Sequence, residues 1–266
     1  MSVKLFIARP FNAPRFDFSS LNILISTMEF WDKKSRSIRW GIKVPKHKEF
    51  FLDSGGFGLV FTYHDYPFKI STYVRLIRLK KPDYAAVMDY PCNKDAMPGI
   101  DVRENIRKTV ENAEQLINNF SFPKTTIVPV IQGWDWQDYK YCIDLYKQRG
   151  IDTGYFAIGT LIHRKNKTVV KPLIVKIVDY LRKWSDADVH AFGIRPTYVE
   201  DYKIWSRISS FDTNTWQYDW DADFVKFALP HSKRIEQLKR LIVWVDEINK
   251  RFENYKPRDL TAWLKP

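Results

Sequence analysis

Three aspartates at the ends of apolar runs carry most of the chemistry this sequence can offer. Asp53 closes the run Phe-Phe-Leu-Asp and is followed by Ser54, Gly55 and Gly56; Asp89 closes a run that begins at 84, and Asp212 one that begins at 208. Gln132 with Gly133, Gly159 and Gly193 stand at the ends of three further runs. Carboxyl groups are the general acids, bases and nucleophiles of group transfer. An amide, and backbone N–H groups left open by glycine, are the donors that orient a polar ligand. A single Asp-Ser-Gly-Gly also makes an ordinary tight turn. Turn chemistry alone does not account for three acids, an amide and two glycines on successive strand ends.

These groups need a scaffold that brings them to one place. Apolar runs bounded by turn residues predict eight strands, at 3–8, 22–27, 50–53, 84–89, 126–132, 154–159, 189–194 and 208–212. Helical spacing fills most of the intervals. The clearest helix is 101–120, with Asp101 as its cap, Glu104 three residues on, and Ile106, Val110, Ala113 and Ile117 on one apolar face. Segments 136–149 and 170–184 read similarly, Gly150 stopping the former, and 231–255 is a long closing helix. Strands alternating with helices predict a single α/β domain, a (β/α)8 TIM barrel over 1–256 with a C-terminal tail at 257–266. In such a barrel every strand end named above opens on one mouth.

Composition sets the outer limits. The chain has 266 residues of which 45% are apolar, enough for a full core, and its 43 Lys and Arg against 31 Asp and Glu give a net charge of +12. That excess favours a polyanionic partner, or is the surface of a merely basic protein. No apolar segment is long enough to span a membrane. The two cysteines, Cys92 and Cys142, provide neither a disulfide framework nor a structural zinc site, so a reducing cytoplasm is the expected setting. The short run before Arg9-Pro10 reads as a first strand and not a signal peptide. The five His, at 47, 64, 163, 190 and 231, show no ligand spacing, so no metal is expected.

Taken together, these motifs resemble the tRNA-guanine transglycosylases and their relatives that insert deazapurines into DNA. The pattern Asp-Ser-Gly-Gly-aromatic around that family's general acid/base is matched by 53–57, and its guanine-reading Asp by Asp89 in Val-Met-Asp-Tyr-Pro-Cys. Its Val-Gln-Gly is matched by Ile131-Gln132-Gly133, and its Gly-Tyr-Ala-Ile-Gly-Gly-Leu by 154–161, with Thr160 in place of the second Gly and Leu161 following. Gly193 matches the glycine of the seventh strand, and Phe211-Asp212 the Phe-Asp that carries the nucleophile. The Gln that usually follows the glycine-rich turn is here Gly58. The Cys-rich zinc subdomain that follows the nucleophile in the tRNA enzymes has no counterpart, since no Cys follows Asp212. The compact, zinc-free form resembles the DNA-modifying branch.

The resemblance implies exchange of guanine for a 7-deazaguanine base of the preQ0 type. Asp212 would form a covalent glycosyl intermediate on the face opposite the base, as in retaining glycosidases, and Asp53 would handle the proton at N9. Ser54, Gly55, Gly56, Asp89, Gln132, Gly133, Gly159, Thr160, Leu161 and Gly193 would hold the base. DNA is the favoured polymer and tRNA the alternative; a helicase or ATPase partner could serve base extrusion, and no cofactor beyond the incoming base is implied. Loops at the mouth offer Trp134, Trp136, Trp216, Tyr218 and Trp220 for stacking, and His163, Arg164, Lys165, Lys167 and Arg195 for phosphates. Rings packed beneath a loop and a solvated basic turn are the plain readings of the same residues. The basic runs 33–39 and 75–81 read as solvated faces of helices away from the mouth. A carbohydrate glycosidase and an inactive nucleic-acid binder remain as other classes, the first disfavoured by the charge.

Overall fold

The computed structural model describes residues 2–162, 164–218 and 229–253, so the expected tail, His163 and Trp220 lie outside the described residues. The main sheet contains β1 (Lys4–Ala8), β2 (Asn22–Ser26), β5 (Phe50–Asp53), β6 (Tyr84–Ala86), β7 (Thr126–Val128), β8 (Val130–Ile131), β9 (Tyr155–Ile158), β10 (Asp188–Ala191) and β11 (Ser210–Thr213). A small antiparallel pair, β3 (Trp31–Asp32) and β4 (Ser37–Ile38), stands apart. The nine strands run in the order β7-β6-β5-β2-β1-β11-β10-β9-β8, and all the pairings are parallel. The two outermost strands, β7 and β8, are consecutive in the chain and separated only by Pro129. Proline has no N–H to give a ladder, yet its carbonyl still accepts from Ala157 N at 2.9 Å. The sheet is therefore nearly closed on itself.

Strands enclosed on both faces must be apolar throughout, which is why Ile-Leu-Ile, Phe-Phe-Leu and Tyr-Phe-Ala-Ile read as continuous runs. Large rings meet between strands: Phe6 and Phe51 with centroids 5.7 Å apart, Phe51 and Tyr84 5.7 Å, Tyr84 and Tyr155 5.0 Å, Phe51 and His190 4.7 Å. The ring contacts tie β1, β5, β6, β9 and β10 together across the sheet's inner side.

Helices α1 (Gly56–Tyr63) and α2 (Ile70–Lys80) follow β5, α3 (Val102–Asn119) follows β6, and α4 (Trp136–Gln148) follows β8. Then come α5 (Val170–Leu181), the short α6 (Tyr202–Trp205) and the long α7 (His231–Glu253). Asp101 caps α3 through Glu104 N at 3.0 Å, and Gly150, at φ 63°, ends the α4 segment, both as the sequence suggests. Asn249 of α7 grips both backbone groups of Val3 at 3.0 Å, fixing the start of β1.

The first two intervals depart from regular alternation. Between β1 and β2 there is only a 3-10 turn, and 33–39 belongs to the β3–β4 hairpin rather than to a helix. Asp32 Oδ1 accepts from Lys34 N and Ser35 N, and Arg36 takes φ 49°, so local side-chain bonding closes a turn where helical spacing suggested a helix. The hairpin leaves the sheet at the C-terminal end of β2, on the same edge as Asp53.

Candidate active site

Asp53 is the last residue of β5, and register pairs it with Ser26 at the end of β2. Gly55, in the left-handed region at φ 79°, turns the chain into α1 and donates its N–H to Asp53 Oδ2 at 3.2 Å. The carboxyl keeps some exposure but is walled in by protein. Burial, then the neighbouring charges of Asp89 and Asp212, push its pKa up from 3.8 to about 7, against the hydrogen bonds of Ser26 and Gly55.

Asp89 lies three residues beyond β6, not at the end of a continuous strand. Val87 N still bonds Val128 O at 3.0 Å, and Pro91 and Cys92 then carry the chain away from the sheet. The Asp89 carboxyl is buried and both oxygens are engaged: Oδ1 accepts from Ser54 Oγ and Oδ2 from Gln132 Nε2, each at 2.5 Å. Burial raises its pKa, and those two donors work in the opposite direction. Ser54 also meets Tyr66 Oη at 2.8 Å, and Tyr66 donates to the Asp89 carbonyl at 2.9 Å. Gly56 is packed against this group, since a Cβ there would come within 2.3 Å of the Asp89 carbonyl oxygen.

Gln132 follows β8, and its amide is set by Thr160, whose Oγ1 donates to Gln132 Oε1 at 2.5 Å. Thr160 in turn accepts from Cys92 N at 3.0 Å and holds a left-handed backbone at φ 54°. The resembled family has glycine at that position; here a hydroxyl anchored on both sides holds a strained residue in place. Gly159 must be glycine for a different reason: a Cβ would lie 2.3 Å from Gln132 Nε2. Gly133 backs onto Tyr139, and Leu161 is buried.

Asp212, expected as the last residue of its strand, is next to last in β11, which runs on to Thr213, and it pairs in register with Phe6. Its Oδ1 accepts from Gly193 N at 2.7 Å and meets His190 Nε2 at 3.2 Å. Nothing in the local pattern singles out His190. Its signal is tertiary: it is fully buried on β10 beside the one strand that carries Asp212.

The residues offered for nucleic acid divide sharply. Trp216 is fully buried with Nε1 bonded to Ala8 O at 3.0 Å, so it has no face to offer a base. Arg164 is also buried. Its guanidinium is spent on the carbonyls of Thr160, Trp134 and Gly133 and on Tyr139 Oη, so it ties two loops together instead of reaching for a phosphate. It lies 4.3 Å from the Trp134 ring centroid. Trp134 and Trp136 are half-buried and line a recess of about 300 Å³ with Asp95, Asn166 and Leu173, and none of the three site aspartates lines it. Tyr218 is half-buried, and Lys165, Lys167 and Arg195 are exposed. No group of three or more His, Cys, Asp or Glu among the described residues is placed to hold a metal ion. No helix among them is long and apolar enough to cross a membrane.

The family model described as DpdA, DeoxyPurine in DNA protein A, matches residues 26–265, a span that takes in all three aspartates. The chain belongs to the DpdA family. No curated protein matches it. The DpdA match agrees with the resemblance to deazapurine DNA-modification transglycosylases, relatives of the tRNA-guanine transglycosylases. Within this DpdA chain the residues matching those motifs lie at the C-terminal edge of one sheet: Asp89 and Gln132 share a hydrogen bond, Asp53 feels the charges of Asp89 and Asp212, and Gly159 packs against the Gln132 amide.

Proposed function

We propose that the protein is a transglycosylase that replaces guanine in DNA with a 7-deazaguanine derivative of the preQ0 type through a covalent glycosyl-aspartate intermediate. The scaffold is read as a (β/α)8 barrel, β7 and β8 counting as one strand interrupted at Pro129. Family membership supports the DNA deazapurine chemistry. The observation that carries the mechanism is the carboxyl of Asp53, raised to about 7 by burial and by two further carboxyls. An acid whose pKa lies near neutrality can both give and take a proton in one catalytic cycle.

In this reading an extruded guanosine sits over the sheet edge. Asp212 Oδ2 forms a bond to C1′ as the C1′–N9 bond breaks; its electron pair goes to N9, which takes the proton of Asp53. Guanine departs. The incoming base gives its N9 proton to the Asp53 carboxylate, N9 bonds to C1′, and Asp212 is released. Asp89 accepts from the Watson–Crick edge, sharing or displacing Ser54 and Gln132, while Gln132 and backbone donors near Gly159 face the 6-oxo group. Exposed Lys165, Lys167 and Arg195 meet phosphates, and Trp134 and Trp136 meet neighbouring bases.

The test is incorporation of a labelled 7-deazaguanine into DNA and tRNA side by side, with Asp212→Asn and Asp53→Asn as controls. Label in DNA, lost in both variants, is expected. Label in tRNA alone would overturn the polymer, and full exchange by Asp212→Asn would overturn the nucleophile.

A further inference from the structure

We infer that His190 is a positioning residue for Asp212, dividing its carboxylate into an anchored oxygen, Oδ1, and a reactive one, Oδ2. This rests on the reading of Asp212 as nucleophile. A chain of contacts runs beneath the site: Tyr155 Oη to Ser210 Oγ at 2.5 Å, Ser210 Oγ to His190 Nδ1 at 2.6 Å, His190 Nε2 to Asp212 Oδ1 at 3.2 Å. All four residues are buried.

Either oxygen of the Tyr155–Ser210 pair can donate, and the one arrangement of a neutral ring that leaves no proton of the chain unpaired has Tyr155 donating to Ser210 and Ser210 donating to His190 Nδ1. In that arrangement Nδ1 accepts, the ring proton sits on Nε2, and it points at Asp212. Every donor in the chain faces toward the carboxylate. Gly193 N supplies a second donor to the same oxygen at 2.7 Å. Among the described residues, Oδ2 has no such pair of anchors.

The ring itself is held by packing. Phe51 and Phe192 lie with centroids 4.7 and 4.6 Å away, and Phe6 is at 5.8 Å. A ring clamped in this way cannot swing to another partner, and so neither can Oδ1. For a carboxylate that must attack C1′ along one line, fixing one oxygen sets the trajectory of the other.

The experiment compares adduct formation in single-turnover conditions by the full chain, His190→Phe, His190→Gln and Ser210→Ala. Phe fits among the surrounding rings but donates nothing. Gln places an amide N–H at a reach close to that of Nε2. Expected is a fall of about 100-fold in the adduct rate for His190→Phe, on the scale of a lost oriented donor, with DNA affinity and the KM of the incoming base unchanged. Gln should recover about tenfold of that loss, and Ser210→Ala should show a smaller fall. A wild-type rate in His190→Phe, or no gain from Phe to Gln, overturns the positioning role. If His190→Phe does not fold, Ser210→Ala decides alone, and an undiminished rate there overturns it. Failure of the wild-type protein itself to form an adduct strikes instead at the role of Asp212.

Discussion

Asparagine at position 53 keeps the size of the side chain and removes the titration, so Asp53→Asn isolates the cost of burying that acid. The folded carboxyl ionises near 7 and the free one at 3.8. Below 3.8 both states carry the proton and stability owes nothing to this group. Between the two values the folded protein binds more protons than the unfolded chain, so stability falls as pH rises, and above about 7 the whole cost is present. At about 1.4 kcal/mol per pKa unit the cost is at most about 4 kcal/mol at pH 8 and about 1.6 kcal/mol at pH 5. Asp53→Asn is therefore expected to gain about 2.5 kcal/mol on the wild-type protein between pH 5 and pH 8. Urea unfolding of both proteins at those two pH values measures it. A gap that does not change with pH would refute the placement of Asp53 against Asp89 and Asp212, since burial and charge repulsion are what raise it.

Further expectations follow from the same contacts. Gly159→Ala pushes a Cβ to 2.3 Å from Gln132 Nε2, so the folded variant should bind the incoming base at least tenfold more weakly by titration, as when a buried polar partner is misplaced. Trp216→Ala should lose about 3–5 kcal/mol in chemical denaturation, the cost of emptying a core site, while its folded fraction binds DNA with unchanged affinity. Arg164→Ala should lower stability by a few kcal/mol, because it orphans buried carbonyls, yet leave the salt dependence of DNA binding unaltered, whereas Lys165→Ala should reduce that slope by about one.

The strands were legible because enclosure on both faces demands apolar residues without interruption, and runs such as Phe50–Asp53 have no other use. Several of their ends were legible too: an acid, an amide or a glycine closing such a run marks the sheet edge at Asp53, Gln132 and Gly159, whereas β6 stops three residues short of Asp89. The hairpin at 33–39 was not, since Asp32 closes it by side-chain bonds that compete with a helix on equal terms of composition. Nor could sequence separate Trp216 from Trp134, or Arg164 from Lys165. Burial depends on which segments the folded sheet brings overhead, and residues adjacent in sequence ended on opposite sides of that boundary. His190 is the sharpest case. Nothing within its own strand marks it; its meaning comes from Asp212, twenty-two residues on, and from Tyr155 and Ser210 beneath it, contacts that exist only once β9, β10 and β11 lie side by side. The sequence by itself determined which groups reach the edge of the sheet, because that follows from local pattern. Only the tertiary structure decided which of them touch, because contact between distant residues is a property of the closed sheet.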